Sequence, residues 1–179
     1  MQSNAGLLLN MPEKKSSDDI EKRFLAIKPI LLDVSCYRIV SQKYDTLNTN
    51  GSLLYPGRYN NGEFLVLYTS DSREVCEAEL ARKTEIKTKL VYKIAKLKVK
   101  LKKVFDLTNE KNLKALDIQK DALIGSSWNF TQHIASLAYR KAYEALLVPS
   151  ATGEGNNIIL FPENFTKDSV IKKEAEEIL

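Results

Sequence analysis

The sequence has 179 residues but only one histidine, one tryptophan and two cysteines. A single histidine, His133, and two cysteines outside any zinc-ligand spacing exclude the common zinc frameworks, so no metal is expected. Cys36 and Cys76 both lie in apolar contexts, Val34–Ser35–Cys36–Tyr37 and Val75–Cys76. A bridge between them is one reading. Two buried thiols in a reducing, cytoplasmic setting is the favoured one. Glycine and proline are sparse, seven and five residues, which excludes collagen-like and low-complexity chains. Long apolar runs are missing too. Leu7–Leu8–Leu9 lacks a basic flank and is too short for a signal or membrane segment. Neither GxGxxG nor GxxxxGK[ST] occurs, which removes the two common phosphate-loop fingerprints. The charge balance, 27 Lys+Arg against 23 Asp+Glu, permits an anionic ligand. It lacks the concentration of positive charge usual in nucleic-acid modules.

What is present is enough for one domain with its own core. Residues 1–17 read as a polar tail and 18–179 as a single domain. Ile20, Phe24 and Ile27 recur at helical spacing behind a cap at Asp18 or Asp19, and Pro29 limits that helix. Residues 31–40 read as a strand, 41–63 as a long turn-rich loop, and 64–69 as a buried strand. A helix then opens at Asp71–Ser72, where Asp71 and Glu74 have capping-box spacing. On it Val75, Cys76, Glu79 and Leu80 share one face, so Glu79 sits on an apolar stripe. Residues 90–107 are β-like. Helices are expected over 109–118 and 131–145, and short strands over 146–148 and 158–161. The charged end, 168–179, reads as weakly helical over 172–179. Strands and helices alternate without a βαβ repeat, which favours a mixed α+β fold.

Most residues that catch the eye have ordinary explanations. Lys96, Lys98, Lys100 and Lys102 alternate with Leu97, Val99 and Leu101. That face reads either as a nucleic-acid or acidic-partner surface or, preferably, as an edge strand guarded by lysine. His133 is expected to be structural or on the surface, and Trp128 to be a packing residue. Cys76, inside a helix on the apolar face, is a poor nucleophile.

Three segments stand apart. Tyr55–Pro56–Gly57–Arg58–Tyr59–Asn60–Asn61–Gly62 places an arginine beside glycine in a long loop, and a guanidinium fork suits phosphate or carboxylate. Glu79 is a carboxylate among apolar neighbours, costly unless paired or used. Val148–Pro149–Ser150–Ala151, followed by Gly155–Asn156–Asn157, ends a strand with a serine hydroxyl.

In this order the segments resemble the RES domain family, named for Arg, Glu and Ser. Tyr37–Arg38–Ile39 resembles the family's opening and Gly57–Arg58–Tyr59–Asn60 its arginine motif. Tyr68–Thr69–Ser70 resembles the Tyr-x-Ser strand end, and Cys76 to Glu79 the Ala-x-x-Glu helix. Gln132 matches the Thr-Gln segment, and Pro149–Ser150–Ala151 is intact. The likeness is strongest over 36–165. Tyr59 stands for the usual Trp, and Pro56 for the first Gly.

The resemblance implies an ADP-ribosyltransferase-like mixed fold, a central twisted β core flanked by helices. It also implies a toxin that consumes NAD+ as substrate and is partnered by a small Xre-type antitoxin. Its expected catalytic set is Arg58, Tyr68, Glu79 and Ser150. Arg38, Tyr59 and Asn60 join Arg58, Tyr68 and Ser150 in lining the NAD+ site. The expected reaction is cleavage of the nicotinamide–ribose bond by water or phosphate. Two alternatives remain beside it: ADP-ribosyl transfer to a protein, and a non-enzymatic basic binding module using the lysine strand.

Overall fold

The computed structural model describes residues 17–83 and 90–179. The tail expected over 1–17 lies, but for Ser17, outside the described residues. The elements in chain order are α1 (Ser17–Ala26), β1 (Ile30–Ser41), α2 (Gly51–Leu54), β2 (Leu67–Ser70) and α3 (Arg73–Lys83). There follow β3 (Tyr92–Asp106), α4 (Glu110–Leu116), α5 (Lys120–Ile124), α6 (Asn129–Arg140), β4 (Ala145–Pro149), β5 (Asn156–Leu160) and β6 (Val170–Ile178).

The strands close on themselves. β1 pairs antiparallel with β2, β2 with β5, and β5 with β4, while β4 runs parallel to the end of β3 and β3 returns antiparallel to β1. β6 lies outside this ring, antiparallel to the first half of β3. A closed ring leaves none of its own strands as an unpaired edge.

The burial of β4 and of the second half of β5 explains the apolar runs there. Ala145, Ile158 and Leu160 point into the ring, with Cys36, Leu67, Leu97, Val99 and Leu101. Leu146, Val148, Ile159 and Phe161 point the other way, against the helices. Both faces are buried, so the period-two signal of a half-exposed strand disappears. α1 docks on the outer core through Phe24, whose ring stacks on Phe105 at 3.8 Å between centroids.

One buried carboxylate organises the corner. The register of β1 on β3 slips by one residue between Ile30/Val104 and Leu32/Leu101. The extra residue turns the Lys102 and Lys103 N–H groups away from the ladder. Both donate to Glu144 Oε2 at 2.7 Å, and Glu144 is 1% exposed. Ser169 Oγ donates to the other oxygen, so the same side chain ties the bulge to the segment leading into β6.

Two sequence expectations are overturned here. The charged end is a strand, not a helix. Its Glu174 and Glu176 find Lys96 and Lys93 across the ladder, at 3.5 and 3.2 Å, and cross-strand partners decide the outcome where local pattern is ambiguous. For the same reason β3 is not an edge strand: β1 flanks it on one side, β6 and β4 on the other. Lys98 and Lys102 pair with Asp33 and Asp168 at 2.5 and 2.7 Å. The face that a basic binding module would need is largely neutralised.

Candidate active site

The site is assembled where β2 runs into α3 and where β4 turns into β5. Asp71 has the spacing of a capping residue but does not cap. Ser72 Oγ accepts from Val75 N at 3.2 Å instead. Asp71 Oδ2 accepts from the backbone and side-chain nitrogens of Asn156, both at 2.9 Å, and Asp71 N donates to Asn156 O. The start of α3 is thereby fixed to the start of β5. Gly155 seals the junction. Its φ of +63° is left-handed, and a Cβ there would lie 2.3 Å from Val75 Cγ2, so only glycine allows α3 to approach the turn so closely.

With the helix so placed, the stripe that carries Val75 and Cys76 into the core carries Glu79 to the β4–β5 turn. Three donors converge on one oxygen, Glu79 Oε1: Ser150 Oγ at 2.7 Å, Asn157 Nδ2 at 2.9 Å and Ala151 N at 3.2 Å. Ser150, 1% exposed, in turn receives the Thr152 N–H at 3.1 Å and contacts Thr152 Oγ1 at 2.8 Å. Asn157 Oδ1 accepts from Ser70 Oγ at 2.8 Å. The expected pair Glu79 and Ser150 is thus in direct contact across 71 residues of sequence.

The arginine loop is built separately. Gly57 and Asn60 close a tight bridge, N to O at 2.9 and 3.3 Å. Gln132 Nε2 donates to the carbonyls of Gly57 and Asn60 at 2.8 and 3.2 Å, and Thr131 Oγ1 to that of Arg58 at 2.6 Å. These two side chains of α6 strap the loop from behind. Tyr68 Oη accepts from Tyr59 N at 3.0 Å and donates to Asn60 Oδ1 at 2.8 Å. Arg58 Nη1 donates to the carbonyls of Leu123 and Gly125 at the end of α5. Its Nε and Nη2 have no hydrogen-bond partner among the described residues.

The seven expected site residues therefore fall into two groups. Glu79 and Ser150 meet at the β4–β5 turn, while Tyr68 and Arg58 belong to the arginine loop and its supports. Burial raises the Tyr59 hydroxyl above the usual tyrosine range, and the charges of Arg58 and Glu79 both reach it, with opposite effect. Burial likewise raises Tyr68. Tyr59 and Asn60 are buried, and their polar atoms are engaged inside the fold: Tyr59 Oη with Leu123 O, and Asn60 Nδ2 with Ser52 O. Arg38 clasps backbone, donating to the carbonyls of Thr46, Tyr68 and Asn48 at 2.8, 2.9 and 3.2 Å. Burial lowers its guanidinium to about 10.

Sequence reasoning left Ser70 and Asn157 out of the catalytic set. Their signal lay in the Tyr-x-Ser strand end and in the asparagine after Pro-Ser-Ala, but serine and asparagine are so common at strand ends that neither stands out alone. Cys36 and Cys76 are both buried free thiols, and burial pushes Cys36 up to about 11, far from a reactive thiolate.

The model of the RES domain matches residues 35–178. The chain belongs to the RES domain family. Among its relatives are proteins named NAD(+) phosphorylase MbcT from Mycobacterium tuberculosis and Mycobacterium bovis. They are 26% identical over 129 residues, covering 68% of this chain and 69% of theirs. A chain in the crystal structure of the M. tuberculosis MbcT–MbcA toxin–antitoxin complex superposes with a TM-score of 0.79. That match has 22% identity and covers 90% of this chain and 92% of that one. The likeness establishes the shared RES fold, a mixed α+β arrangement around a strand barrel. Among the described residues, no helix is long and apolar enough to cross a membrane.

Proposed function

We propose that this RES domain cleaves the nicotinamide–ribose bond of NAD+, with inorganic phosphate as the favoured acceptor, and so acts as an NAD+-depleting toxin. The observation that carries this reading is the carboxylate of Glu79, held on one oxygen by Ser150, Ala151 and Asn157, with its charge and that of Arg58 both reaching the Tyr59 hydroxyl. The relatives named NAD(+) phosphorylase support NAD+ as the substrate and phosphate as the acceptor.

The chemistry asks little else of the protein. Nicotinamide leaves as a neutral base and takes both electrons of the broken C–N bond, so the leaving group needs no proton. Positive charge builds on the ribose as the bond lengthens, and an oxygen of phosphate then attacks the anomeric carbon. A fixed carboxylate beside that carbon stabilises the charge without reorganising, an effect worth roughly 3–4 kcal/mol, or about a hundred- to thousand-fold in rate. Ser150 Oγ and Ala151 N hold the carboxylate in place. The remaining donors of Arg58 grip the pyrophosphate as a fork. The Tyr68 hydroxyl is engaged in the loop, so Tyr68 offers its ring face to nicotinamide or ribose. Tyr59, Asn60 and Arg38 shape the cleft from behind. The working partner is a protein antitoxin of the Xre type, in line with the toxin–antitoxin complex that holds the structural neighbour.

The test is nicotinamide release from NAD+ by the purified chain, with and without phosphate. Phosphate-dependent release of nicotinamide and a phosphorylated ADP-ribose is expected. Glu79→Gln and Arg58→Ala should retain the wild-type melting transition and lose at least a hundredfold in kcat/KM (about 2.7 kcal/mol). Release unaffected by Glu79→Gln would refute the site. Label transferred from NAD+ to protein would replace the reading with ADP-ribosyl transfer.

A further inference from the structure

Glu79 is held by a chain of hydrogen bonds that begins on another strand. Ser70, the last residue of β2, is 4% exposed. Its hydroxyl donates to Asn157 Oδ1 at 2.8 Å, and the other end of that amide, Nδ2, donates to Glu79 Oε1 at 2.9 Å. Ser70 and Asn157 are also register partners in the β2–β5 ladder, so neighbouring backbone hydrogen bonds hold the first link rigid.

We infer that Ser70 is a positioning residue for the reaction: through Asn157 it sets the direction and strength of one of the donors that converge on Glu79 Oε1. The inference rests on the reading of Glu79 given above. An amide has one donating and one accepting end. A hydroxyl that donates to Oδ1 holds that end toward β2 and turns Nδ2 toward α3. Donation to the oxygen also draws electron density from the nitrogen and strengthens its N–H as a donor. Without the Ser70 hydroxyl, Asn157 Oδ1 loses the partner it has in a part-buried hydrogen bond, and the amide rotates to find another at the expense of Glu79. Ser150 and Ala151 N still hold the carboxylate, so the effect is graded. It falls on the chemical step, because Ser70 is two hydrogen bonds from Glu79 and touches no substrate itself.

Ser70→Ala is expected to lower kcat about tenfold, the loss of one buried hydrogen bond, with KM for NAD+ within twofold of wild type. Ser70→Thr keeps the hydroxyl and should restore kcat to within threefold. In an Asn157→Ala background, Ser70→Ala should cost less than twofold further, because the link it acts through is gone. Melting temperatures of all variants separate this from unfolding, and Ser70→Cys serves as the hydroxyl-free variant should Ser70→Ala fail to fold. If Ser70→Ala lowers kcat as much with Asn157 absent as with it present, or leaves kcat unchanged, the inference is overturned. Glu79→Gln run alongside keeps the two levels apart. Loss of activity in Glu79→Gln with an intact Ser70→Ala overturns only the relay; retention in Glu79→Gln overturns the site itself.

Discussion

Gly57 offers a sharp test of how the arginine loop is built. A Cβ at this position would lie 2.6 Å from Tyr68 Oη and 3.0 Å from Asn60 Oδ1. Those are the two atoms joined by the hydrogen bond that orders the loop. Ordinary contact begins at 3.4 Å, and forcing a methyl into packed surroundings costs about 1–3 kcal/mol. Tyr68→Phe alone deletes the same oxygen and leaves the Tyr59 N–H, which it accepts at 3.0 Å, without a partner. That costs about 1–3 kcal/mol. The two changes share one atom, so they should not add. Once Gly57→Ala has displaced the hydroxyl, removing it costs little and relieves the clash. A double-mutant cycle by urea denaturation should give a favourable coupling of about 1–2 kcal/mol. In the nicotinamide-release assay, Gly57→Ala should raise KM for NAD+ about tenfold or more, because Arg58 is the next residue. Additive stabilities within about 0.5 kcal/mol, or an unchanged KM in a folded Gly57→Ala, would refute this account of the loop.

Glu144→Ala strands two backbone N–H groups at the β3 bulge together with the Ser169 hydroxyl and should cost about 3–5 kcal/mol in urea denaturation. Glu144→Gln keeps an accepting oxygen and should cost about 1–2 kcal/mol; equal losses for the two variants would mean the carboxylate is not what holds the corner. Glu176 is held down to about 2, chiefly by the Thr46 hydroxyl that donates to it. A carboxylate depressed on folding stabilises the fold above its ordinary value of 4.5 and loses that contribution as pH falls toward about 2. The destabilisation caused by Thr46→Val should therefore be full at pH 7 and shrink between pH 4.5 and 2. A pH-independent difference would overturn the assignment.

The parts of the fold legible in sequence were those with a local physical cause. The apolar runs at β4 and β5, the stripe on α3 and the turn chemistry around Gly57 each leave a mark within ten residues. Glu79 is the clearest case: its place on an apolar stripe was already anomalous, and the stripe points it at Ser150. What was not legible depends on partners far away in sequence. β6 reads as a helix until the β3 lysines are set beside it. Asp71 reads as a cap until Asn156 takes its carboxylate. Glu144 gives no warning that it is buried, because the N–H groups it satisfies come from a bulge some 41 residues upstream. Ser70 and Asn157 are ordinary polar residues whose role exists only in the pairing of β2 with β5.

The closure of the ring also has a consequence in time. β1 and β3 are made early, and α3 with Glu79 lies between them. The strand order nevertheless requires β4 and β5 to enter between β2 and β3. A chain growing from its N-terminus therefore carries Glu79 and Arg58 for some 70 residues with neither Ser150 nor Asn157 to meet them. Contacts this distant make folding slow and all-or-none. The proposed catalytic groups assemble only after nearly the whole polypeptide has been synthesised, so on this reading a nascent or truncated product has no site to use.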